Sequence, residues 1–167
     1  MIEDSIKTLL KDKYFEPILE FMENSGIDFR NKRLNGPLGV ATYYCVFIDL
    51  VRLTNGFNNN LIAYIILHEV GHYKRIAKMG KEGIIKNLSL EDFNEFCKFV
   101  INEEIVADRY SSFVVYLLTK ELYPREATQQ LHREDRQKRY KHSVRTLFGI
   151  VKNNEENYKG LLERFVV

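Results

Sequence analysis

At 167 residues and 19.8 kDa the chain is long enough to bury a sizeable core and is most simply one domain over residues 1–167. Hydrophobic residues at 45% and charged residues at 29% exclude a disordered or fibrous chain, and a net charge of +2 points to no particular partner. Met1 to Leu10 mixes Glu3, Asp4 and Lys7 among its apolar residues, unlike a secretory signal, and no apolar run approaches a membrane span. A cytoplasmic protein without membrane contact is therefore expected. Cys45 and Cys97 are the only cysteines and form no C-x-x-C, which argues against a disulfide framework or thiolate zinc site and for buried, reduced residues.

Glu3 to Asn24 carries Ile6, Leu9, Leu10, Tyr14, Ile18, Phe21 and Met22 mostly at three- and four-residue steps. This predicts an amphipathic helix, kinked or broken at Pro17 and closed by Gly26. Ile27 to Leu34 reads as a polar strand, and Asn35-Gly36-Pro37 as a turn. Val40 to Leu53 is rich in Val, Thr, Tyr, Phe and Ile, predicting one or two strands, with Cys45 to Leu50 the clearest. Thr54-Asn55-Gly56 reads as a second turn, and the asparagines 58 to 60 offer N-caps for a following helix.

That helix carries His68-Glu69-Val70-Gly71-His72. Residues four apart share a helix face, so the two histidines can bind one metal ion while Glu69, about 100° round, reaches a metal-activated water. With 4 His and 16 Glu in the chain, such an H-E-x-x-H string arises by chance about once in a hundred similar sequences. Its approach, Leu61 to Leu67, is uncharged and apolar on every side, which predicts a buried helix where polar groups need partners. Gly71 costs about 1 kcal/mol relative to alanine in a helix and so marks a close backbone approach or a functional need.

Gly80 and Gly83 suggest a loop, after which Ser89 and Asp92 form a capping box for a long helix, about Leu90 to Leu122. Phe93, Cys97, Val100, Glu104, Ala107, Ser111, Val114 and Leu118 make one stripe of that helix, and Glu104 is its only charged member. A carboxylate facing the core needs a cation or strong donors, and two histidines leave a zinc ion short of a third protein ligand. Glu104 is the candidate, with the adjacent Glu103 its competitor on a flank shared with Asn102 and Arg109. Asp108, one turn on, is a candidate acceptor for the outer N–H of a ligating histidine or else a surface ion-pair partner.

From Pro124 to Arg145 the segment is basic, which reads as a solvated helix face more readily than as a nucleic-acid patch. Tyr140, Val144, Leu147 and Val151 suggest that its later part packs back on the domain, before a short terminal helix. The domain core is placed at about residues 27–122, with 124–167 a helical C-terminal segment.

With H-E-V-G-H on one helix and Glu104-x-x-Ala107-Asp108 on a later one, the chain resembles a gluzincin-type zincin metallopeptidase. The 32 positions between His72 and Glu104 are similar to those of the ImmA/IrrE metallopeptidases of prokaryotes and phages, in which a short sheet precedes the H-E-x-x-H helix. Asp108 stands where that group has Asn, and Leu67 where it often has Ala; the match covers about residues 38 to 120. Metzincins need Gly and His at positions held here by Arg75 and Lys78, and SprT-like proteins need a nearer histidine than His132.

The resemblance implies an α+β, zincin-like fold with a small, mostly antiparallel sheet packed on the motif helix. It implies one Zn2+ per chain on His68, His72 and Glu104, Glu69 as general base toward a zinc-activated water, and hydrolysis of a protein or peptide. A regulatory protein such as a repressor of a mobile element is the substrate it suggests, laid along a sheet edge near Cys45 to Leu50. His132 or His142 are candidates for entering the site from the C-terminal segment. Two alternatives stand beside it: a non-enzymatic regulatory or nucleic-acid-binding protein using the basic segment, with a structural or inactive zinc site, and a peptidase held closed by that segment.

Overall fold

The computed structural model describes residues 2–121 together with 144, 145, 148 and 149. Most of the basic C-terminal segment, with His132, His142 and the expected terminal helix, lies outside the described residues. The architecture is α+β: two long helices, a three-stranded sheet on one of them, and short helices that close the core.

The expected first helix is two helices, α1 (Asp4–Leu9) and α2 (Glu16–Asn24), joined through a 3-10 turn over Lys13–Phe15. Asp12 starts that turn by accepting from the Tyr14 N–H. Pro17 does not kink a helix; it sits in the first turn of α2, where its missing N–H costs nothing. Gly26 adopts φ +71° just past α2, the left-handed geometry expected at a helix end.

The sheet is mixed, in the order β1-β3-β2, rather than mostly antiparallel. β1 (Asp28–Asn31) runs parallel to β3 (Cys45–Ile48), and β2 (Gly39–Ala41) runs antiparallel to it. The central strand is therefore the apolar one, buried at Cys45, Val46 and Ile48. Ile2 bridges to Phe29 and covers part of the β1 side, so β2 is the edge strand next to the motif helix.

Beyond Ile48 the apolar run does not continue as strand. Asp49 accepts from the Arg52 N–H and caps α3 (Leu50–Gly56), so Val51 to Leu53 are helical and Thr54-Asn55-Gly56 is a last helical turn rather than a hairpin turn. The same carboxylate accepts from the Leu34 N–H, and the Arg52 guanidinium donates to the carbonyls of Leu34, Gly36 and Pro37. A carboxylate and a guanidinium thus hold the loop that delivers the chain into β2.

Asn58 caps α4 (Asn59–Leu88) through the Leu61 N–H, as its position predicts. Gly80 breaks α4 with φ +71° and ψ 169°, but the chain resumes helix through Gly83 instead of forming a loop there. α5 (Phe93–Thr119) is capped by Asp92, which accepts from the Glu95 N–H. Ser89 is not its cap and belongs to the end of α4, donating to the Lys86 carbonyl.

One apolar cluster runs from Ile2, Ile6 and Leu10 through Phe29 and Ile48 to Ile62, Ile66 and Val115. Cys45 and Cys97 are both buried, and neither forms a disulfide. Val144 is buried against Phe96 and Cys97, with Phe148 edge-on to Phe93 and Phe96, which is the return onto the domain expected of this segment.

α4 and α5 meet most closely at Gly71 and Ala107. A Cβ on Gly71 would stand 2.9 Å from the Ala107 Cα and 3.2 Å from its carbonyl oxygen, so this glycine permits a backbone approach, as its position in the helix suggests. At Gly83 the obstacle is only the flexible Met79 side chain, at 2.6 Å. Gly71→Ala is expected to lower stability by roughly 1–2 kcal/mol, overpacking outweighing the gain in helix propensity. Gly83→Ala should leave stability unchanged or raise it, and urea unfolding midpoints of the two variants measure the contrast.

Candidate metal centre

α4 passes through the core with Ile62, Ala63, Tyr64, Ile66, Leu67 and Val70 buried, and His68 and His72 then face α5 one turn apart. The crossing at Gly71 brings Glu104 opposite them. His68 Nε2 lies 3.3 Å from Glu104 Oε2, His72 Nε2 lies 3.3 Å from Glu104 Oε1, and the two Nε2 atoms are 3.0 Å apart. These three residues form the group, among the described residues, whose donor atoms converge within 4.8 Å and could hold a metal ion.

Charge-assisted N–H···O bonds shorten to about 2.7–2.9 Å, so 3.3 Å is long for them. The two 3.3 Å contacts go to different oxygens of Glu104, one to each histidine, so a cation placed among the three side chains would be met by both Nε2 atoms and the carboxylate. Two imidazoles and one carboxylate are also a donor set that leaves a fourth position open.

Glu103 is turned elsewhere. Arg75 grips it by a two-pronged contact, Nε to Oε2 at 3.0 Å and Nη2 to Oε1 at 2.6 Å. Its partner is thus on α4, three residues beyond His72. Asp108 is buried rather than at the surface, and its Oδ1 lies 2.9 Å from His68 Nδ1. That contact is close but not aligned along the N–H axis, leaving Nδ1 without a well-formed hydrogen bond. Asp108 Oδ1 also accepts from the Tyr64 hydroxyl.

Glu69 faces the sheet. A Cβ at Gly39 would come within 2.5 Å of the Glu69 Cγ and 3.0 Å of its Oε1, so the first residue of β2 must be bare for the glutamate to lie there. The strand beside the motif is therefore β2, whereas Cys45 to Ile48 is central and offers no free edge. The sequence pattern assigns no role at the site to Gly39, Tyr64 or Arg75. Tyr64 was detectable, since it precedes His68 by the same four residues that separate His68 from His72. Gly39 and Arg75 act on partners 30 and 28 positions away, which no local pattern reveals.

The site's charges are strongly coupled. Burial lowers the His68 pKa, but Asp108 and Glu104 outweigh it and raise it from 6.5 to about 10. Burial raises that of Glu104, yet contacts with His68 and His72 hold it well below its usual 4.5. For Glu69 burial wins and its pKa is raised, opposed by the two histidines.

No family model, curated protein or solved structure matches the chain.

In metal-free protein a raised histidine pKa gives stability that is full below about pH 6.5 and is lost as the pH climbs toward about 10. The lowered Glu104 pKa gives stability present above about pH 4.5 and lost on acidification below it. Thermal unfolding of chelator-treated protein should therefore show a maximum between these limits, and His68→Ala should flatten its alkaline limb.

Proposed function

We propose that the chain is a zinc-dependent metallopeptidase of zincin type that cleaves a protein or peptide substrate with Glu69 as general base. The convergence of His68 Nε2, His72 Nε2 and the Glu104 carboxylate within 4.8 Å of one another, beside Glu69 of the H-E-x-x-H motif, supports this reading. A bound zinc ion would supply a Lewis acid for the scissile carbonyl and make water acidic enough to react at neutral pH.

The chain's own residues account for the rest. His68, His72 and Glu104 would hold the ion, and Asp108 Oδ1, 2.9 Å from the outer nitrogen of His68, is the acceptor that would fix its tautomer once the ring aligns on a metal. Glu69 lies one residue beyond His68 on the same helix, and a carboxylate whose pKa burial has raised suits the acceptance of a proton and its return to a leaving amine.

β2 gives the substrate a place. The Thr42 N–H bonds the Cys45 carbonyl, and the Asp49 N–H bonds the Leu38 carbonyl, so alternate residues 38, 40 and 42 turn their polar groups toward β3. Gly39 and Ala41 turn theirs away from β3, where the Ala41 N–H reaches the Glu69 carboxylate and an extended peptide would add as a strand by displacing that contact. None of the described helices is long and apolar enough to cross a membrane.

Elemental analysis of protein purified without added metal is expected to give about one zinc per chain. Glu104→Ala should abolish that content and Glu103→Ala should preserve it; the opposite result would transfer the ligand role to Glu103. Glu69→Gln should retain zinc while hydrolysis of a fluorogenic peptide library falls by at least about a hundredfold. Full activity in Glu69→Gln would remove the general-base role.

A further inference from the structure

We infer that Tyr64 is a positioning residue of the metal centre: its hydroxyl orients Asp108 so that the carboxylate holds His68 in the tautomer that presents Nε2 to a metal. The inference rests on the zinc reading above and extends it one layer outward.

Tyr64 lies one turn before His68 on α4, with its ring centroid 5.9 Å from the imidazole's. Its hydroxyl donates to Asp108 Oδ1, the same oxygen that lies 2.9 Å from His68 Nδ1. Tyr64 and Asp108 are both 7% exposed, so water cannot readily replace either partner. A buried carboxylate facing a single imidazole N–H is under-solvated, and a phenol hydroxyl supplies a second donor without adding charge.

The backbone that carries Tyr64 is tied to α5, where Ser111 Oγ donates to the Tyr64 carbonyl at 2.6 Å. This contact lies on the same helix pair as the close Gly71 and Ala107 crossing, so the phenol and Asp108 face each other across it. A core tyrosine generally finds some hydrogen-bond partner. Here the partner is the carboxylate that touches a candidate ligand, through the oxygen that touches it.

When Nε2 binds a metal the imidazole is neutral and its proton sits on Nδ1, needing an acceptor. Such outer partners are worth about ten- to a hundredfold in metal affinity. Tyr64→Phe keeps the ring and removes only the hydroxyl, so it should weaken zinc binding about tenfold in chelator competition, with unchanged stoichiometry at saturating zinc. Asp108→Ala should weaken it further, and Tyr64→Phe added to Asp108→Ala should cost nothing more.

That non-additivity separates positioning from a packing role, which would cost affinity in both backgrounds. The unfolding temperature of metal-free Tyr64→Phe should stay close to that of the parent. Parent-like zinc affinity in Tyr64→Phe, or an equal loss with and without Asp108, overturns the inference while leaving the metal reading intact. A parent that binds no zinc overturns both.

Discussion

Two helix backbones in contact at Gly71 and Ala107 set the distances on which everything else in the molecule depends. The side chains that converge on the candidate centre come from α4 and α5, and at the Gly71 and Ala107 crossing no side chain holds the two backbones apart. Removing a single Cβ brings Glu104 within 3.3 Å of both imidazoles. The same approach places Ser111 against the Tyr64 carbonyl and Arg75 against Glu103. Ion pairs and hydrogen bonds then fix the rotation of each helix about its own axis, a task that apolar packing alone performs loosely.

What could be read from the sequence divides along physical lines. Features of helical period were legible because ligand geometry and helix geometry share one spacing: His68 and His72 at i and i+4, and Glu104 as the charged member of an apolar stripe. The glycine at 71 announced a close approach because a helix interior has few other uses for it. Features that depend on partners far along the chain were not legible. The composition from Val40 to Leu53 suits strand throughout, yet Asp49 accepts two backbone N–H groups and turns the chain into helix. Thr54-Asn55-Gly56 has the composition of a turn and is helical because it finishes what Asp49 began.

Sheet order was likewise out of reach. An apolar strand such as Cys45 to Ile48 is better buried between neighbours than left at an edge, and β1 supplies the second neighbour by pairing in parallel, which a reading based on short antiparallel connections does not anticipate. The strand left at the edge is the short one, Gly39 to Ala41, whose side chains would have drawn no attention. Its value lies in its backbone and in the absence of a side chain at Gly39, properties that composition and periodicity do not record.

The contacts of Arg52 carry one more consequence. Three carbonyls of the loop before β2 are gathered on a guanidinium that arrives 15 to 18 residues later in the chain. The conformation of that loop is therefore encoded mainly outside it, in the helix that follows the sheet. These contacts use the loop's backbone carbonyls and none of its side chains, so substitutions within the loop leave the entry to β2 in place while a change at Arg52 releases it.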